Sequence, residues 1–138
     1  MAGKVAQLKD LEVYQLSTKL GEDVWNVVIH MDDFARSTLG KQWIRSADSV
    51  AANISEGFGR YFYKEHRLFL FYARGSLSET ETWLQKSFKR GYISQELFNR
   101  LSKDIRNLRI KLNNYIHSIG KQTKIYLKEP DDNQMTTG

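Results

Sequence analysis

The chain has no cysteine. Disulfide scaffolds and thiolate metal sites are therefore excluded, and a reducing compartment is compatible. Proline occurs once, at Pro130, within the polar C-terminal segment. Nothing upstream of it forbids long helices. No apolar run approaches the roughly 18 residues that a membrane span requires. The opening "MAGKVAQLKDLEV" has no continuous apolar core of signal-peptide length. The expectation is a soluble, cytoplasmic protein. Acidic residues are in deficit, 16 against 21 lysines and arginines, for a net charge of +5. The deficit is local: residues 36–119 carry 15 Lys/Arg against 7 Asp/Glu, whereas residues 1–35 carry 3 against 6. A basic middle admits an anionic partner, with nucleic acid the first to consider, although a lysine-rich solvated surface has the same composition.

What is present is helical periodicity. A length of 138 residues, with 41% hydrophobic and 27% charged, suits one globular domain. Val13, Leu16, Leu20, Val24, Val27 and Met31 recur at spacings of three and four, which predicts a helix from about Leu11 to His30 with Asp10 as N-cap. "MDDFARS" reads as a polar break, after which Ser37 or Thr38 caps a second helix carrying Leu39, Trp43, Ala47, Val50, Ile54 and Phe58. A third helix starts near Lys64 and ends at "FKRGY", where Gly91 supplies a left-handed C′ residue. Ser94 caps a fourth, with Leu97, Leu101, Ile105, Leu108, Leu112, Tyr115 and Ile119 on one stripe. Periodicity fails from Gln122. The pattern divides the chain into a lead-in (1–9), a bundle domain (10–120) and a flexible polar tail (121–138). Helices of this length joined by short connections predict an all-α, antiparallel, up-down-up-down four-helix bundle.

The third helix departs from simple amphipathicity. "RLFLFYA" is apolar nearly all round. A helix of that kind is expected to be covered on all sides, and the chain has no fifth element to cover it. Leu68, Phe69, Phe71 and Tyr72 are therefore the residues expected to meet another copy of the chain.

The stretch "NISEGFGRYFYKEH" resembles a phosphate loop only superficially. It lacks the Gly-Lys-Ser/Thr of a Walker loop, and Phe62 stands where a dinucleotide loop needs its third glycine. Gly57 and Gly59 read instead as the end of the second helix, with left-handed dihedrals. "SVAANISEGFGR" and the later "FLFYARGSLSETETWL" resemble the four-helix bundle proteins encoded in intervening sequences of bacterial 23S ribosomal RNA genes. The matching positions are Ser49, Asn53, Ile54, Glu56, Gly57, Gly59 and Arg60, then Ala73, Gly75, Ser76, Leu77, Glu79, Glu81 and Leu84. "LEVYQLS", Gln42 with Arg45, and "GYIS" extend the likeness over roughly residues 10 to 119. Two positions depart from the pattern: Ala51 where proline is common, and Tyr63 where a small hydroxyl residue usually precedes the Lys-Glu pair. The second leaves the third helix without its usual cap. The resemblance implies an α bundle, a homo-oligomer that is often a pentamer, no enzymatic activity, and a proposed role in nucleic-acid binding.

Asn53, Glu56, Gly57, Gly59, Arg60, Gly75, Ser76, Glu79 and Glu81 make up the shared motifs. They read either as a polar network fixing the junction of helices 2 and 3 or as a ligand site. Gly75 is expected to let a neighbouring helix approach closely. Metal chemistry has no support: His30, His66 and His117 lie in no Glu-x-x-His or His-x-x-x-His pair. A nucleophile elbow is also absent. No cofactor, metal or small-molecule substrate is expected. Arg45, Arg60, Lys64, Arg67 and Arg74 cluster in sequence around the junction, with Tyr61, Phe62 and Tyr63 interleaved. Tyr61 and Tyr63 can stack on unpaired bases, or the aromatics can pack at the turn. The basic residues of helix 4 spread over its whole non-core face, as on an ordinary solvated surface. Two functions follow: a non-enzymatic oligomeric bundle binding RNA or DNA, or a protein–protein adaptor whose basic face meets an acidic partner.

Overall fold

The computed structural model of the chain describes residues 7–128, with side chains described through Lys121. Among the described residues the secondary structure is helical, without strands. After a 3₁₀ turn at Leu8–Asp10 come α1 (Glu12–Val28), α2 (Lys41–Phe58), α3 (Tyr63–Lys89) and α4 (Gln95–Lys128). Residues Asp33–Ala35 and the π-helical turn Arg36–Gly40 lead into α2 without a break.

Helix starts correct two sequence-based expectations. Asp10 does not cap α1. It lies in the 3₁₀ turn, and Leu11 is the N-cap, with no side-chain bond to the helix. Leu11 is itself buried in the core, so packing sets this start. Ser37 and Thr38 do not cap α2. Asp32 does, its carboxylate accepting from the Ala35 N–H at 2.9 Å, so "MDDFARS" is a first helical turn rather than a break. The Ser37 and Thr38 hydroxyls donate back to the Phe34 carbonyl inside the helix, as such side chains do away from a cap. The Ser94 cap of α4 is present, with the Leu97 N–H donating to its Oγ at 3.1 Å.

Glycine roles sort differently from the expectation. Gly91 has φ 83°, as a C′ residue after α3 requires. Gly59 is right-handed, at φ −80°, and Gly57 lies buried within α2. What Gly57 provides is proximity. A Cβ there would stand 2.9 Å from both the His66 carbonyl oxygen and the Phe69 Cβ. Gly75 meets nothing within 4 Å, so no helix approaches it closely.

Cross-helix pairs fix the topology. The Thr80 hydroxyl lies 3.0 Å from Ser46 Oγ, and His66 faces Gly57, so α2 and α3 run antiparallel. Glu81 with Arg109, and His66 with Tyr115, do the same for α3 and α4. Asp23 with Arg100, and Glu12 with Lys111, close α4 onto α1. Each helix packs on two neighbours in the order of the chain, giving the up-down-up-down square. The predicted stripes of helices 1, 2 and 4 supply Val24, Trp43, Ile54, Ile105 and Leu112 to its core, and α3 adds Leu70, Leu77 and Leu84; all are essentially inaccessible. Each such side chain contributes roughly 1.5–3 kcal/mol on burial. α4 stays helical to Lys128, past the boundary at 120 that the loss of periodicity suggests. The rest of the predicted tail (129–138) and most of the lead-in (1–6) lie outside the described residues.

Candidate nucleic-acid interface

The junction of α2 and α3 is built from aromatics and one engaged arginine. Phe62 is the N-cap of α3 and makes no side-chain cap bond, consistent with the missing hydroxyl residue at Tyr63. Tyr61 is 81% exposed and leans on Phe62, ring centroids 4.9 Å apart. Arg60 donates to Glu56 at 2.8 Å, lies 3.8 Å from Glu65, and covers the Phe69 ring at 4.7 Å. These exposed ion pairs contribute at most about 1 kcal/mol each, but they leave Arg60 less free to meet an anion. Asn53 donates to the Ser49 carbonyl within its own helix.

One turn further along, the basic residues are differently placed. Phe71 is exposed, and its ring is approached by two guanidinium groups, Arg74 at 5.0 Å and Arg67 at 5.8 Å from its centroid. Arg74 reaches across to α4 and donates to Asn113 Oδ1 at 2.9 Å. Between the two helices runs a groove of about 370 Å³ lined by Arg67, Arg74, Asn113, His117, Gly120 and Lys121, with Ile116 at its floor. No carboxylate lines it. Among the described residues Lys64, Arg67 and Arg74 of α3 form no salt bridge, nor do Lys103, Arg106 and Lys121 of α4, whereas Arg100, Arg109 and Lys111 of α4 are paired. What distinguishes Arg67 and Arg74 is the exposed Phe71 ring beside them.

The remaining predicted residues separate from this site. Arg45 lies at the opposite end of the bundle, in a cleft with Trp83 and Arg90. The two family motifs do not form one network. Glu79 accepts from Trp83 Nε1 at 3.3 Å, Glu81 pairs with Arg109 at 2.9 Å, and the Ser76 carbonyl lies 2.8 Å from the Thr80 hydroxyl. Leu68 and Tyr72 are exposed, one turn apart. Phe69 is half-buried against α2, edge-on to Tyr72 at 5.5 Å. Asn113, His117 and Lys121 complete the groove and carry no local signal in the sequence, because only the register of α4 against α3 brings them there. Trp25, Ile29 and Phe34 are exposed at the far end and were equally silent.

His66 sits behind the junction. It is 7% exposed, between the Phe58 and Tyr115 rings, with the Tyr115 hydroxyl 3.3 Å from Nε2. Burial lowers its pKa and pushes the Tyr115 phenol up to about 12. Among the described residues no group of three or more His, Asp or Glu side chains could hold a metal ion. No described helix is long and apolar enough to cross a membrane.

Residues 9–114 match the family model described as "23S rRNA-intervening sequence protein". A crystal structure from Bacteroides thetaiotaomicron, described as a protein of unknown function from the S23 ribosomal protein family, shares the fold with a TM-score of 0.67. It is 24% identical, and the match covers 75% of this chain and 97% of that one. No curated protein matches.

Proposed function

Because the chain belongs to the 23S rRNA-intervening sequence protein family, we propose that it is a non-enzymatic, self-associating bundle of the cytoplasm that binds nucleic acid where α3 begins. The observation that carries this is Phe71, an exposed ring with both the Arg67 and the Arg74 guanidinium within 5.8 Å of its centroid, the same two arginines that line a groove without carboxylates. Guanidiniums bind phosphate with two parallel donors, and an aromatic face stacks on an unpaired base whatever its identity. Lys64 and Tyr61 extend the surface around the helix start. Leu68 and Tyr72, displaced toward α2, supply the self-association surface, so the two roles use adjacent strips of α3. Assembly repeats the basic strip in every subunit, and modest contacts then add through multivalency.

The test is single-stranded RNA or DNA titrated at several salt concentrations. Log affinity should fall against log salt with a slope of about 0.7 per phosphate neutralised. The double charge reversal Arg67→Glu with Arg74→Glu should weaken binding at least about tenfold and flatten that slope. Phe71→Ala should weaken single-stranded ligands more than duplex. Binding no tighter than about 0.1 mM at physiological salt, the level of nonspecific background, overturns the reading. Retention of an acidic protein in its place would make the bundle an adaptor.

A further inference from the structure

The opposite end of the bundle holds a second concave site. It is a cleft of about 670 Å³ where the entry to α2 meets the end of α3. Lys41, Arg45 and Arg90 bring three cations to its wall, with no carboxylate in the lining. None of the three forms a salt bridge among the described residues, although Asp32, Asp33 and Glu79 lie close by in the chain or the fold. Those carboxylates are engaged elsewhere. Asp32 accepts from the Ala35 N–H and from the Tyr92 hydroxyl, the latter at 3.3 Å. Asp33 pairs with Arg36, and Glu79 accepts from Trp83. The same bonds tether Tyr92 and Trp83, two of the three aromatic residues in the wall; the third, Phe34, is 76% exposed. Gln42, one turn before Arg45, adds an exposed amide able to donate and accept.

We infer that this cleft binds a nucleoside phosphate, with its base against the Trp83, Tyr92 and Phe34 rings and its phosphate on the Arg45 and Arg90 guanidiniums. Concave sites of roughly 300–1,000 Å³ suit ligands of this size. Planar rings beside unpaired guanidiniums suit an aromatic base joined to an anion better than they suit either alone. The source is a free nucleotide or an unpaired nucleotide within a strand. By helix rise, Arg90 lies roughly 35 Å along α3 from Arg67. The cleft is thus separate from the interface described above and does not rest on it.

Calorimetric titration of the full chain with adenosine 5′-monophosphate tests the inference, beside adenosine, inorganic phosphate and a single-stranded adenine trinucleotide. The monophosphate should bind at least about tenfold tighter than adenosine or phosphate. Arg45→Gln with Arg90→Gln should lower that affinity at least about tenfold, and Trp83→Leu should lower it as well. Lys103→Gln with Arg106→Gln, on exposed residues of α4 outside both surfaces, should leave it unchanged. A trinucleotide about tenfold tighter than the monophosphate, with that gain lost in the Arg45/Arg90 double variant, identifies a strand at this cleft as the source, and equal affinity identifies a free nucleotide. Circular dichroism establishes that each variant is folded. The inference is overturned if neither the monophosphate nor the trinucleotide shows a binding component that saturates by about 1 mM and is lost in the double Arg45/Arg90 variant.

Discussion

His66 and Tyr115 place two titratable rings in contact beneath the α2–α3 junction. His66 is held neutral, because burial disfavours its cation and lowers its pKa from the ordinary 6.5. The unfolded chain takes up the proton first. Stability is therefore full above about pH 6.5 and declines as the pH falls toward the lowered folded value. Tyr115 acts at the other limit. Its phenol is raised from 10.0 to about 12 by burial, so stability is full below pH 10 and is lost as the pH rises through about 12. A thermal melt series across pH should show both limbs. His66→Gln, which keeps an acceptor for the Tyr115 hydroxyl, should flatten the acid limb and leave the alkaline one. Equal acid slopes in the two proteins would exclude His66 as the source.

At the scale of the element, two helical glycines have opposite consequences. Gly75 lies in the interior of α3 and Gly57 in the last turn of α2; inside a helix alanine is favoured over glycine by about 1 kcal/mol. At Gly75 nothing opposes that preference, since an added Cβ meets no atom within 4 Å. Gly75→Ala should raise stability by about 0.5–1 kcal/mol. At Gly57 the Cβ would fall 2.9 Å from the His66 carbonyl oxygen, a backbone atom that moves only with α3. The overpacking cost of about 1–3 kcal/mol then exceeds the helix preference, and Gly57→Ala should destabilise. Urea midpoints at unchanged m-value report both signs. A stabilising Gly57→Ala would mean that the α2–α3 contact yields freely.

At the scale of the whole molecule, the uncovered apolar surface is split. Leu68 and Tyr72 project from the start of α3, and Trp25, Ile29 and Phe34 lie at the other end. If the first strip joins subunits, Leu68→Asp with Tyr72→Asp should move the protein toward a monomer of 16.1 kDa by light scattering, with helicity retained. Phe69→Asp should behave differently. Its side chain packs against α2 and lies under Arg60, so it should lower the melting temperature rather than only dissociate subunits. An unchanged assembly in the Leu68/Tyr72 double variant would assign the interface to another surface.

The sequence by itself determined the four helices, the core stripes of three of them, the Ser94 cap, the Gly91 turn and the family. Each of these is written in local order: the spacing of apolar residues, a hydroxyl three residues before an N–H, a glycine after the last turn. The Asp32 cap is missing from that reading, because "MDDFARS" reads as a polar break. Tertiary structure decided which residues of the apolar run in α3 stay uncovered, because that depends on the neighbours' sides of the square rather than on α3. It decided that Gly57 serves a close approach and not a left-handed turn, since contact across helices leaves no trace in local spacing. It also separated Arg45 from Arg60, Lys64, Arg67 and Arg74. These residues seem adjacent when numbered, but an antiparallel hairpin carries position 45 to the far end of the bundle, where α3 delivers Trp83 and Arg90 to meet it.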